Sequence, residues 1–264
     1  MSAHQPRKRF GQHFLHDAGI INGIVAAVNP VLGDHLVEIG PGEGAITLPL
    51  LRRAQRMTVI ELDRDLAPRI KAMTADVGDV DVIQADVLNV DLAQLAGDRK
   101  LRIVGNLPYN ISSPILFHCI DQLDAIVDMH FMLQKEVVDR MAAGPGSKVY
   151  GRLSVMLQLA CVVDPLFDVP PGAFRPPPNV DSAIVRLIPR PASARPLALL
   201  PAITRIVRAA FGQRRKTLSN ALNGVATTAQ LRAAEIDPGE RAEQLPLAAF
   251  VRLAQVLESS EPDE

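Results

Sequence analysis

Short apolar runs alternate with amphipathic stretches through the first half of the chain. The runs His35–Ile39, Thr58–Ile60, Val80–Ala85, Leu101–Gly105 and Ala125–Leu133 have strand length, and each gap between them holds roughly two to four helical turns. Strand and helix in regular succession predict a mostly parallel α/β sheet covered by helices on both faces. Ahead of it, Ile20, Ile21, Ile24, Val25 and Val28 mark one face of a helix over Asp17–Val28. Ser113 followed by Pro114 predicts a helix start, with the serine as cap and the proline at the first helical position. Leu153–Ala160 reads as a further helix, and Cys161–Val169 and Ser182–Leu187 as two more strands joined through the proline-rich loop Pro170–Pro178. The aperiodic stretch Pro189–Pro196 marks a boundary. Residues 1–194 are therefore expected to form a Rossmann-like α/β domain, and 195–264 a small all-helical one. In the second, Ile203, Ile206, Val207, Ala210 and Phe211 share a face that Arg205 and Arg208 avoid.

Composition narrows the class. Of 264 residues 48% are hydrophobic and 22% charged, as in a soluble chain with a sizeable core. Two isolated cysteines, Cys119 and Cys161, argue for a reducing compartment and against a disulfide framework or a zinc ribbon. The basic start has no apolar run behind it, so no signal peptide is expected. No apolar stretch reaches the roughly 18 residues of a membrane span. A cytoplasmic protein without a membrane partner is the expectation. The net charge of -1 conceals segregation. Eleven acids face six bases between Asp34 and Asp91, whereas nine bases and no acid lie between Ser182 and Ala234. Arg7, Lys8 and Arg9 add to the basic side. Charge on its own is equally compatible with a polyanion-binding surface and with solvated helix faces.

The chemistry gathers at four strand ends. In open α/β sheets ligands bind beyond the carboxyl ends of the strands, and a distinctive residue ends each of the first four here. They are Glu38-Ile39-Gly40-Pro41-Gly42-Glu43-Gly44, Glu61-Leu62-Asp63, Asp86, and Asn106-Leu107-Pro108-Tyr109. Glycines let the first turn approach a ligand closely, and Glu61 is placed to accept from ribose hydroxyls. An NAD site shares that much. Its fingerprint, however, is G-x-G-x-x-G facing a pyrophosphate, and Glu43 in this turn would repel phosphate. Asp86 suits an adenine amino group. S-adenosylmethionine, a nucleoside without phosphates, fits the set better. An aromatic amine is a poor nucleophile. The Asn106 side-chain oxygen and a Pro108 carbonyl left free of any ladder would accept its two hydrogens, aiming the lone pair at a methyl donor. Tyr109 can stack on the base.

At these residues the chain resembles the small-subunit (16S) rRNA adenine N6-dimethyltransferases. The resemblance runs nearly end to end. It is carried by Arg9-Phe10-Gly11-Gln12-His13-Phe14-Leu15, Glu38–Gly42, Ile60–Asp63, Gly105–Ser112, Met132–Val137, Phe174–Ser182 and Gln213–Thr217. It implies a methyltransferase domain followed by a helical RNA-binding domain. The implied activity adds two methyls to each of two adjacent adenines in a 3′-terminal hairpin of 16S rRNA within the 30S particle, late in ribosome assembly. Implied donor contacts are His13, Leu15, Gly40, Gly42, Glu61, Asp86 and Asn106, and Phe174 is implied to stack on the adenine opposite Tyr109. Arg7, Lys8, Arg9, Arg214, Arg215 and Lys216 are assigned to RNA phosphates. No metal is expected, because the histidines lack ligand spacing, and a monomer is expected. One departure stands out: the family's F-G-Q-N-F-L reads His13 for asparagine here, and a neutral histidine can still donate a hydrogen bond. Three rivals remain: a large-subunit adenine methyltransferase of the macrolide-resistance type, a catalytically idle assembly factor, and an NAD oxidoreductase.

Overall fold

The structure is a computed structural model that describes residues 13–259. Its strands are β1 (Phe14–Leu15), β2 (His35–Ile39), β3 (Arg56–Glu61), β4 (Asp79–Gln84), β5 (Leu101–Asn106), β6 (Ile126–Gln134), β7 (Cys161–Val169), β8 (Phe174–Arg175) and β9 (Ser182–Pro189). Seven of them form one sheet in the order β4-β3-β2-β5-β6-β9-β7. The pairs from β4 through β6 are parallel, and β9 joins β6 antiparallel. The strand order reverses at β2, which pairs with both β3 and β5. Connections leaving either side of such a point diverge and open a crevice at the carboxyl ends. Register keeps those ends level, since Ile39 lies opposite both Ile60 and Gly105, and Glu61 lies opposite Gln84.

Continuous apolar runs suit strands buried on both faces, and Leu36, Val37, Val59, Ile103 and Val104 are essentially inaccessible. Leu36, Val59, Val104, Met132 and Ile184 share a core with Ile24, Val25 and Val28 of the helix Ala18–Val28 and Leu50 and Leu51 of the helix Thr47–Ala54. Each such side chain contributes about 1.5–3 kcal/mol through burial. The first helix starts where Asp17 accepts from Ile20 N at 2.9 Å and stops at Asn29, in the left-handed region at φ 43°. At the amino-terminal edge of the sheet, Arg102 donates to Asp128 and Asp34 and to the Val28 carbonyl, tying β5 and β6 to the turn before β2. The helix expected to be capped by Ser113 begins one residue earlier, at Ser112, behind Ile111. A turn in which Ile111 N donates to Pro108 O sets that start, so Ser113 lies inside the helix.

Two compact units divide the chain, residues 13–138 with Asp164–Pro189, and Asp139–Val163 with 190–259. The second boundary falls near the expected proline-rich stretch. The segment Asp139–Val163, by contrast, joins the carboxyl-terminal helices although the sequence placed it in the first domain. The reason is packing. Tyr150, Val155 and Leu159 share a core with Ile203, Ile206, Val207, Phe250 and Leu253, and the Tyr150 hydroxyl donates to Leu245 O at 3.0 Å. Helices Arg152–Ala160, Leu200–Gly212, Leu218–Ala221, Thr228–Ala233 and Leu247–Glu258 build this unit. Among the described residues no helix is long and apolar enough to cross a membrane.

Candidate active site

A cavity of about 230 Å³ opens at the carboxyl ends of β2, β3, β4 and β5. Each of the four strand ends singled out in the sequence contributes to it: Gly40 and Gly42, Glu61, Asp86, and Asn106 through Tyr109. Gly40 and Gly42 have φ of 68° and 56°, a region that side chains disfavour. A Cβ at Gly42 would also stand 3.2 Å from the Phe14 ring. The turn therefore needs glycine twice over at that position. Ile39, Ile60, Leu107 and Ile115 supply apolar wall.

Acidic groups cluster beside the glycine turn. One oxygen of Glu61 accepts from Asp63 N at 2.8 Å and the other from Gly42 N at 3.4 Å, so the carboxylate is fixed while lone pairs remain for hydroxyl donors. Burial pushes its pKa up, opposed by those backbone bonds. Asp86 Oδ1 accepts from Leu88 N at 3.0 Å, capping the short turn Val87–Asn89, and this orients the carboxylate at the rim. Deeper, Glu38 is 0% exposed; Thr47 Oγ1 donates to its Oε2 at 2.6 Å, and Oε1 has no partner. Burial pushes Glu38 from its ordinary 4.5 up to about 8, with Thr47 opposing. An acid whose pKa is raised by folding holds in the folded state a proton that the unfolded chain has lost. Its stabilising contribution is full below pH 4.5 and is lost as pH rises through 8. Glu38→Gln, an isostere of the protonated form, is thus expected to flatten the loss of thermal stability of the ligand-free protein between pH 5 and 8.5. At pH 8.5 the variant should gain on the order of a few kcal/mol over the parent. Parallel melting curves for the two proteins would refute a neutral Glu38.

The Asn106 loop is held from three sides. Asn106 Nδ2 donates to His13 O at 3.1 Å, which leaves Oδ1 as the accepting end of the amide. Leu107 N donates to Met132 O at 3.2 Å, anchoring the loop to β6. Pro108 O, expected to be free, accepts from Ile111 N at 3.1 Å; the turn uses one lone pair and leaves the other. The Tyr109 phenol hydrogen-bonds Ser182 Oγ at 2.6 Å. Burial pushes that phenol's pKa up, so it stays protonated. The His13 ring stacks near Tyr109, with centroids 5.9 Å apart and planes 24° apart, and His13 Nδ1 lies 2.7 Å from Pro176 O.

Other expected residues fall elsewhere. Phe174 is 2% exposed and packs in the core of the sheet rather than lining the cavity, and Leu15 does the same. The two are register partners, because β1 and β8 pair as a small antiparallel ribbon. Arg214, Arg215 and Lys216 are exposed in the helical unit. Arg214 is nonetheless engaged there, donating to Lys148 O at 2.7 Å and Tyr150 O at 3.1 Å and lying 3.6 Å from Glu243. Arg7, Lys8 and Arg9 lie outside the described residues. Among those described, no cluster of histidine, cysteine and acidic side chains could hold a metal. Phe14, Leu62 and Ser182 stand within the motifs quoted from the sequence but were given no role there; Phe14 and Leu62 line the cavity, and Ser182 meets the Tyr109 phenol. Leu62, 48% exposed between two buried acids, carried a signal in hindsight: an exposed leucine at a strand end offers an apolar face beside a carboxylate.

Comparison with known proteins agrees in extent. The family model described as ribosomal RNA adenine dimethylase matches residues 3–259. "Ribosomal RNA small subunit methyltransferase A" of Xanthomonas euvesicatoria pv. vesicatoria is 60% identical over 250 residues, covering 95% of each chain. The protein of the same name from Xanthomonas campestris pv. campestris is equally similar, again over 95% of each chain. Among solved structures, a dimethyladenosine transferase from Plasmodium falciparum superposes with a TM-score of 0.81 at 26% identity, over 91% of this chain and 96% of that one. The 23S rRNA methyltransferase ErmE gives 0.72, also at 26% identity, over 93% and 99%.

Proposed function

The chain belongs to the ribosomal RNA adenine dimethylase family, and from that premise we propose that it methylates N6 of two adjacent adenines in the 3′-terminal hairpin of 16S rRNA, twice each, using S-adenosylmethionine. The observation that carries the reading is the fixed Asn106 amide. With Nδ2 committed to His13 O, Oδ1 is the atom presented to an incoming amine. Asn106 Oδ1 and the remaining lone pair of Pro108 O accept the two amine hydrogens. That grip turns the nitrogen lone pair away from the acceptors and stabilises the positive charge nitrogen gains during transfer. S-adenosylmethionine supplies an electrophilic methyl on a sulfonium. Glu61 and Asp86 bind its ribose hydroxyls and adenine amine, and the acids that line the cavity, Glu61, Asp63 and Asp86, favour a cationic ligand. Tyr109 offers its ring to the target base. The methylated nitrogen loses its proton to water, so no side chain of high basicity is needed.

Arg215 and Lys216 contact RNA phosphates and set affinity rather than base identity. The protein acts in the cytoplasm, as a monomer, on the 30S particle. The likeness to ErmE supports a second reading, methylation of large-subunit RNA; the small-subunit relatives at 60% identity weigh against it. Labelled methyl transfer to isolated small subunits and to 23S RNA separates the two. Mass spectrometry should find four methyls on two neighbouring adenines of the small-subunit RNA and none added to 23S RNA. Incorporation into 23S RNA alone would overturn the assignment.

A further inference from the structure

We infer that Ser182 is a positioning residue for the methyl acceptor, anchoring the phenol of Tyr109 and so setting the ring on which the target adenine rests. The inference rests on Tyr109 being the base platform proposed above.

Tyr109 is held at two points that are far apart in the chain. Its carbonyl accepts from Ser112 Oγ at 3.2 Å, a bond local to its own turn. Its hydroxyl meets Ser182 Oγ at 2.6 Å, 73 residues away. Ser182 is a rigid anchor: it opens β9, lies opposite Gln134 at the end of β6 and has no exposed surface. Just beyond that pair, Lys135 N donates to Asp181 O at 2.9 Å and closes the ladder. Without the serine hydroxyl, a half-buried phenol would lose its partner and turn toward water. The His13 ring stacked along its face constrains tilt but, unlike the hydroxyl bond, does not fix rotation in the ring plane.

The consequence differs between the two methyl transfers. In the first, two N–H groups are gripped by Asn106 Oδ1 and Pro108 O. After one methylation a single N–H remains, so one acceptor has nothing to hold. Alignment in the second transfer then falls more heavily on the stacked ring, and small misplacements of reacting groups cost rate steeply. An anchor on Tyr109 therefore matters more for the second methyl than for the first. Burial holds the phenol protonated, so it serves as a hydrogen-bonding hydroxyl throughout.

The test follows monomethyl and dimethyl adenine over time by mass spectrometry on small subunits lacking the modification. Ser182→Ala is expected to slow the first transfer about threefold and the second about tenfold, so that monomethyl adenine accumulates. Tyr109→Phe removes the same bond without touching the strand and should do the same. The double variant should be no slower than either single variant, and Ser182→Thr, which retains a hydroxyl, should restore dimethylation. KM for S-adenosylmethionine should stay constant throughout. Should Ser182→Ala fail to fold, Tyr109→Phe carries the result alone. Normal dimethylation in Tyr109→Phe, or single-variant losses that multiply in the double, overturns the inference. Tyr109→Ala separates the layers: full activity there sinks the platform reading itself, whereas its loss beside an unaffected Ser182→Ala sinks only the role of Ser182.

Discussion

Asn106→Ala is expected to lower single-turnover methyl transfer about 10²- to 10³-fold while leaving RNA affinity within about twofold. The range is that of a preorganised group removed from charge developing in a transition state. Alanine deletes the Oδ1 acceptor and the donation to His13 O together, yet the Leu107 N to Met132 O and Ile111 N to Pro108 O bonds still hold the loop. Loss should therefore appear in kcat and hardly in binding, since the amine is gripped more firmly as nitrogen becomes positive. Asn106→Asp sharpens the point. It keeps an acceptor but sets a carboxylate oxygen against the His13 carbonyl, so it should also fail. A rate undiminished in the alanine variant would remove the acceptor role.

The second large effect lies in the helical unit. Arg215→Ala with Lys216→Ala is expected to weaken RNA binding on the order of tenfold to a hundredfold and to flatten log K against log salt by about 1.4–1.8, two phosphate contacts' worth. Arg214 is expected to behave differently from its neighbours. Its guanidinium already donates to Lys148 O and Tyr150 O and lies near Glu243. Arg214→Ala should therefore cost stability of the unit, through two backbone carbonyls left unpaired, more than it changes the salt slope. Filter binding across a salt series, alongside thermal melts of each variant, checks both statements. An unchanged slope in the double variant would assign the phosphates to other residues.

The centre of the sheet was legible because β2, β3, β5 and β6 are largely buried and therefore read as apolar runs, bounded by glycines and acids at one end. That same arithmetic put Gly40, Glu61, Asp86 and Asn106 on one edge, and all four line the cavity. Elements whose formation depends on a partner were not legible. β1 and β8 are two residues each and show no period; each exists because the other is alongside. For the same reason the surroundings of Phe174 were not legible: it packs in the core as the register partner of Leu15. The helix at Arg152–Ala160 was visible, but the core it would join was not. An apolar face formed by Val155 and Leu159 reads alike whether it packs on the sheet or on the carboxyl-terminal helices. Ser182 was recognised as a strand residue and as the end of a segment carrying the resemblance, but without a role, since nothing in a sequence indicates that a buried hydroxyl meets a phenol 73 residues upstream.

The most direct measurement is a structure of the protein with a non-reactive analogue of the methyl donor and an RNA fragment carrying the target adenine. The account predicts Asn106 Oδ1 and Pro108 O each within about 3 Å of N6, with the nitrogen facing the donor's sulfur. An adenine amine bonded elsewhere, with the Asn106 amide turned from the donor, would contradict it.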